Sequence, residues 1–376
     1  MKVFKKVVLS SLLGLAVSFP AAHAAEDIKI GALFPMSGLN ASYYDIFGSG
    51  ANLAVEHINN DKLLDGKFSV QYEDSQALPQ QGVIGMNKLV NVVKVPYVMS
   101  AFTGVSKAIS TVGGRSKTVM VNGGGVGPDL AELGSYFWNV IPLANYEVSA
   151  VIPYLVNEKD AKRFVLVYVD DPLGAAILSE MKKELKDTDA ELVESFSIPA
   201  SAQQFSGIAA RVRAANPDAV YIASYGAQQA QLVKQLRDNG INQQLVSYSA
   251  ISMPEIHSLP EAKGLLYTSQ SVDWDSEDPV TKRFVDDYKQ KFNKLPSTYT
   301  ANYYNAVRLF GLLAHELQKK GEPITGENLL KQRNESKNFD LVGGNVTFTE
   351  QGTVISPMQI NEVDGNGGRV VKTLSN

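Results

Sequence analysis

The chain has 376 residues, a formal charge of −4, 44% hydrophobic residues and no cysteine. A mildly acidic, cysteine-free chain excludes a disulfide framework, thiol catalysis and lipid attachment through cysteine, and it argues against nucleic acid or an anionic membrane as partner. The length exceeds what one core usually holds, which predicts two domains of ordinary size.

Residues 1–24 read as a signal peptide. Lys2, Lys5 and Lys6 precede an apolar run over 7–19, and Ala22-His23-Ala24 supplies small residues on both sides of a spacer, so cleavage is expected after Ala24. The apolar run is short for a bilayer span, so an exported protein of the periplasm without stable membrane insertion is expected. The leader carries three lysines and no acid, so its removal takes the formal charge from −4 to −7.

Beyond the leader, apolar runs with the look of buried parallel strands recur at 28–34, 68–72, 97–100, 118–121, 163–169, 191–196, 219–224 and 244–247. Helical patterns lie between them. One covers 48–60, with Ala51, Leu53, Ala54, Val55 and Ile58 on its apolar face, and another covers 227–239, closed by Gly240. The pattern predicts an α/β fold of two doubly wound, Rossmann-like lobes. Four strands precede residues 137–142 and at least four follow, which puts the first boundary near Leu143. Further on, 263–269 reads as a strand, 278–292 and 301–320 as helices, and 344–348 with 354–362 as a β-hairpin. The long helical pair suggests a return to the first lobe, and several crossings would make a hinge.

In open α/β sheets ligands sit beyond the carboxyl ends of the strands, so the candidate loops are 36–44, 100–106, 122–127, 170–174, 225–227 and 248–252. Thr103, Gly104 and Ser106 could present hydroxyl or N–H groups to a carboxylate at a strand-to-helix turn; the plainer alternative is that Ser106 only caps the helix. Gly124 and Gly125 lie in Asn122-Gly-Gly-Gly-Val-Gly-Pro128, where the missing side chains let a ligand approach the backbone, although a surface loop would have the same composition. The loop has no Lys-Ser/Thr after it and does not match a phosphate-binding loop. Tyr43, Tyr146, Tyr225, Tyr248 and Tyr299 fall at loops or element ends and suit an aromatic pocket wall, against the alternative of half-buried packing.

These segments resemble a type I periplasmic substrate-binding protein of an ABC transporter, in the branched-chain amino acid receptor group. The resemblance runs through 28–38, Gly50-Ala51-x-x-Ala54-x-x-x-Ile58-Asn59, Tyr72-Glu73-Asp74, 123–130, 164–171, Phe205-Ser206-x-Ile208, Pro217 to Tyr221 and 299–306, in order over the mature chain. It implies a type I periplasmic binding fold, with one lobe from 25–143 plus 271–345 and the other from 144–270 plus 346–376. It implies lobes that close on a small-molecule solute and a monomer that docks on a membrane permease. The ligand-binding set expected is Tyr43, Phe102, Thr103, Gly104, Gly124, Gly125 and Val126 from the first lobe, Tyr146, Leu173, Tyr225 and Ser249 from the second, and Tyr299.

In this family, receptors for α-amino acids hold the ammonium with a hydroxyl in the glycine-rich loop and a carboxylate from the second lobe. Here those places hold Val126 and a residue of Tyr248-Ser249-Ala250, with no acid, and Leu173 stands where tyrosine is frequent. The resemblance with these departures implies a small carboxylate ligand without an α-ammonium, such as an aromatic or short organic acid; the alternatives are a receptor for a branched-chain or other amino acid or amide, or a periplasmic sensor subunit. Asp170 or Asp171 could supply the charge, though their turn needs an aspartate for its own backbone. Catalysis, a cofactor and a metal are not expected: the mature chain has only His57, His257 and His315, with neither Gly-x-Ser-x-Gly nor His-Glu-x-x-His.

Overall fold

The computed structural model describes residues 27–365 and 368–374. The leader and its cleavage site lie outside the described residues. Five segments, β1 (Ile28–Phe34), β2 (Phe68–Asp74), β3 (Tyr97–Ser100), β4 (Val119–Asn122) and β5 (Phe137–Asn139), pair in parallel in the order β2-β1-β3-β4-β5. Residues 30–34, β3 and β4 are buried without alternation, as strands covered on both faces must be. The helices α1 (Ser42–Asn60), α2 (Pro79–Lys88) and α3 (Thr103–Ser116) connect the first four.

After α4 (Ala144–Glu158) a second sheet begins. It contains β6 (Arg163–Val169), β7 (Glu191–Ile198), β8 (Ala219–Ala223), β9 (Gln244–Ser247) and β10 (Leu266–Gln270), with the crossovers α5 (Pro172–Leu185), α6 (Ser206–Ala215) and α7 (Gly226–Asp238) and the short α8 (Pro254–His257). Three helices follow: α9 (Pro279–Phe292), α10 (Thr298–Lys320) and α11 (Gly326–Ser336). A capping box of Ser297 and Thr300 starts α10, and Gly321, at φ +67°, ends it. Here α10 lies along α1, and at Gly50 a Cβ would stand 2.0 Å from the Thr300 carbonyl oxygen, so only glycine permits that approach. Tyr97 Oη of β3 donates to the Ala306 carbonyl at 2.6 Å, so the chain has returned to the first sheet.

The tail departs from expectation. β11 (Asn338–Leu341), β12 (Gly344–Phe348) and β13 (Val354–Ile355) form a small antiparallel sheet, tied to β5 by a bridge between Asn139 and Thr353. The expected hairpin arm 354–362 is two strands. Ser356-Pro357 breaks it, because proline offers no N–H to a ladder. Beyond the break β14 (Met358–Val363) joins the second sheet antiparallel to β10, and β15 (Gly368–Leu374) adds its edge, giving the order β15-β14-β10-β9-β8-β6-β7. Asn345, the expected boundary, falls within β12.

Candidate functional site

A cavity of about 780 Å³ lies between the two sheets. Its walls come from the loops after β1, β2, β3 and β4 on one side and after β6, β7, β8 and β9 on the other, so the carboxyl ends of both sheets face it. The sheets also touch across it. Tyr43 Oη accepts the Gly226 N–H at 3.1 Å, and the Phe102 and Tyr225 rings meet edge-on with centroids 5.5 Å apart.

The first wall is built by side chains that fold loops onto themselves. Asp74, at the end of β2, accepts the N–H groups of Met36 and Gln76 and the Ser37 hydroxyl, which fixes two loops at once. Burial opposes ionisation there, but those hydrogen bonds hold the Asp74 carboxyl below its ordinary range. Asn122, at the end of β4, donates to the Gly125 carbonyl and accepts the N–H groups of Gly124 and Gly125. A Cβ on Gly125 would lie 2.9 Å from the Thr103 nitrogen, so the two loops pack backbone to backbone.

Phe102 has φ +64° and ψ 134°, a conformation that costs a non-glycine residue about 1–3 kcal/mol. It serves as the N-cap of α3 and brings no side-chain cap, so the first-turn N–H groups of Thr103 and Gly104, both on the cavity wall, are left for another acceptor. Thr103 Oγ1 accepts the Gly127 N–H at 3.1 Å, leaving its own proton to donate. This corner offers hydrogen-bond donors and a helix dipole to an anion.

The rest of the wall is aromatic and aliphatic. Tyr248 donates to the Ser224 carbonyl, Tyr225 to Asp171, and Tyr299 pairs with Ser249 at 3.3 Å, so the hydroxyls are engaged within the protein. Burial pushes the Tyr43, Tyr225, Tyr248 and Tyr299 phenols up, and they stay neutral. Among the lining residues Asp171 is the single charged side chain. Its Oδ1 accepts the Gly174 N–H at 2.9 Å as the N-cap of α5, and its Oδ2 accepts from Tyr225 at 2.8 Å. Burial raises its pKa above the ordinary range, against those hydrogen bonds.

Ten of the expected positions line the cavity: Tyr43, Phe102, Thr103, Gly104, Gly124, Gly125, Val126, Leu173, Tyr225 and Tyr299. Tyr146 does not. It is 46% exposed, because the first turn of α4 aims it outward and its neighbour Glu147 inward. Ser249 is buried behind the wall, where its N–H and hydroxyl both bond to Glu147, while Tyr248 and Ala250 on either side of it face the cavity. Thr268 adds a third hydrogen bond to the Glu147 carboxylate. Burial nonetheless lifts the Glu147 pKa to about 7, the hydrogen bonds from Ser249 and Thr268 opposing it.

Sequence reasoning missed 76–79, 200–204, Gln228 and Gln231. The loops after β2 and β7 carry no motif, but the carboxyl-end rule, applied to every strand rather than to six of them, would have included them. Among the described residues no cluster of His, Cys, Asp and Glu is arranged to hold a metal, and no helix is long and apolar enough to cross a membrane.

The periplasmic binding protein family model matches residues 27–369. The Leu/Ile/Val-binding protein homolog 3 of Brucella melitensis is 24% identical over 95% of each chain, and the Leu/Ile/Val-binding protein of Escherichia coli K12 is 26% identical over 94% of each. Among solved structures, a leucine binding protein from Thermotoga maritima aligns with a TM-score of 0.84 at 19% identity, covering 93% of this chain and 99% of that one. A solute binding protein of an ABC transporter from R. palustris, in complex with benzoate, also aligns at 0.84, with 14% identity over 93% and 96%. These likenesses show the type I two-lobe fold. The chain belongs to the periplasmic binding protein family, the solute receptors of ABC transporters, in the group that includes the Leu/Ile/Val-binding proteins.

Proposed function

We propose that the protein captures a small carboxylate without an α-ammonium, with an aromatic or apolar body, and delivers it as a monomer to the permease of an ABC importer. The observation that carries this reading is the charge inventory of the cavity. An uncapped helix N-terminus and a free hydroxyl proton at Thr103 stand ready for an anion, while Val126 and Ala250 are apolar and Asp171, the one acid, is committed to Gly174 and Tyr225. A buried ammonium without a paired anion would cost several kcal/mol. Structural neighbours in complex with benzoate and 4-hydroxybenzoate support an aromatic acid.

The lobes, 25–143 plus 271–357 and 144–270 plus 358–376 when the break at Ser356-Pro357 is taken as the last crossing, would exchange between open and closed arrangements. A solute that touches both walls favours the closed one by its extra contacts there. The hydrogen bonds Tyr43–Gly226 and Tyr299–Ser249 latch the two lobes directly. The Asp171 carboxylate on the wall favours one second reading, an amino acid whose ammonium it would pair, as the neighbour in complex with isoleucine illustrates.

A thermal-shift screen of the mature protein against benzoates, aliphatic acids and branched-chain amino acids tests the choice. A ligand at about 100 times its Kd adds roughly 2.7 kcal/mol. Stabilisation by the acids is the expected result, and stabilisation by leucine or valine alone would refute it.

A further inference from the structure

The cavity is longer than a compact acid requires. Its walls include the loops after β4, β3, β1 and β2 in one sheet and after β9, β8, β6 and β7 in the other. Each series crosses three inter-strand steps of about 4.8 Å, so the cavity extends about 14 Å across the sheets. Its volume of about 780 Å³ exists although the walls already meet at Tyr43–Gly226 and Phe102–Tyr225. Pockets of roughly 300–1,000 Å³ suit ligands of drug size rather than a single benzoate.

The outer end, under the edge strands β2 and β7, differs chemically from the inner one. Among the described residues none with a charged side chain lines it. Instead it gathers glutamines, and the side-chain amides of Gln76, Gln203, Gln204 and Gln231 make no hydrogen bond among the described residues. A fifth, Gln228, holds the rim in place by donating to the carbonyls of Pro199, Ala200 and Ala202. Leu39 and Leu78, 66% and 51% exposed, add apolar surface at the mouth. Gln76 and Ala77 both have φ near +50°, at 50° and 57°, so the β2 loop is held in a left-handed shape that brings its amide to the cavity.

We infer that the solute is elongated: a carboxylate at the α3 N-terminus, an apolar or aromatic body between the ring walls, and an uncharged hydrogen-bonding end, amide or hydroxyl, among the rim glutamines. The inference rests on the carboxylate reading above. Gln204, exposed and free, determines specificity at the far end, and Gln228 is a positioning residue for the loop that carries it.

Calorimetric titration with benzoate, phenylbutanoate and para-carbamoyl phenylbutanoate tests it on the mature protein and on Gln204→Trp and Gln204→Ala. Affinity is expected to rise about tenfold or more from benzoate to the carbamoyl acid, from added apolar contact and a met amide. Gln204→Trp is expected to abolish that gain, so that the carbamoyl acid binds the variant no more tightly than benzoate does. Gln204→Ala is expected to lose only the preference for the carbamoyl group. Equal affinity for the three acids, or benzoate binding best, overturns the elongated ligand and leaves the carboxylate reading standing. Binding of leucine with no heat from any of the three overturns both.

Discussion

Glu147 gives the sharpest test of the wall that stands behind the site. Its carboxyl is 1% exposed and receives hydrogen bonds from the Ser249 N–H at 2.7 Å, the Ser249 hydroxyl at 2.8 Å and the Thr268 hydroxyl at 3.0 Å. Burial wins over those bonds and lifts its pKa from 4.5 to about 7. That displacement corresponds to about 3 kcal/mol in favour of the neutral form. Between about pH 4.5 and 7 the folded protein keeps a proton that the unfolded chain has lost, so stability falls as pH rises through this window. Below it both states are protonated and no cost is felt; above it the full cost is present. Glu147→Gln stays neutral at every pH. Its oxygen accepts from Ser249 and Thr268 while its amide donates to a rotated Ser249 hydroxyl. In urea denaturation the variant is expected to match the wild type near pH 4.5 and to exceed it by about 3 kcal/mol near pH 8. A difference that does not change with pH, or a variant less stable near pH 8, would refute the reasoning.

Three further substitutions address the site itself. Tyr225→Ala removes a ring against Phe102 and a donor to Asp171, and ligand affinity read by calorimetry should fall by about tenfold to a hundredfold; unchanged affinity would take Tyr225 out of the site. Gly226→Ala puts a Cβ 2.6 Å from Asn40 Oδ1 at a φ of +61°, so closure should be penalised, affinity should drop by about tenfold, and X-ray scattering with ligand should report a more open particle. Scattering that shows full closure would contradict that role. Asp171→Asn keeps an oxygen for the Gly174 N–H but removes the wall's one charge. A carboxylate ligand should bind the variant as well as the wild type or better, whereas a loss of about tenfold or more would point to an ammonium at Asp171.

The buried strands were readable because strands covered on both faces are apolar at every position, as residues 30–34 and β3 show. The start of α1 was not: the expected helix opened at Gly48, whereas α1 opens a turn and a half earlier at Ser42, and Gly50 within it is what lets α10 approach. The site was partly readable from the carboxyl-end rule and the glycine-rich loop, which place Thr103, Gly104, Gly124 and Gly125 on one wall. Side-chain direction was not available at that level. One residue along a helix turns the side chain by about 100°, enough to exchange Tyr146 for Glu147, and after β9 the chain turns at once into a 3-10 helix over Ser249–Ser252, which puts Tyr248 and Ala250 on the cavity wall while Ser249 bonds to Glu147. Gln76 and 200–204 follow the carboxyl ends of β2 and β7, within reach of the same rule, but no motif in those loops marks them out.

The central claim, an anion site that has no place for an ammonium, is tested most directly by a matched pair of ligands. Leucine and methylpentanoate share their carboxylate and branched chain and differ only in the α-ammonium. Titrated calorimetrically into the mature protein, methylpentanoate should bind more tightly by about tenfold or more, since the ammonium would meet Val126 and Ala250 without a free acid. Tighter binding of leucine would contradict the account and assign Asp171 to its ammonium.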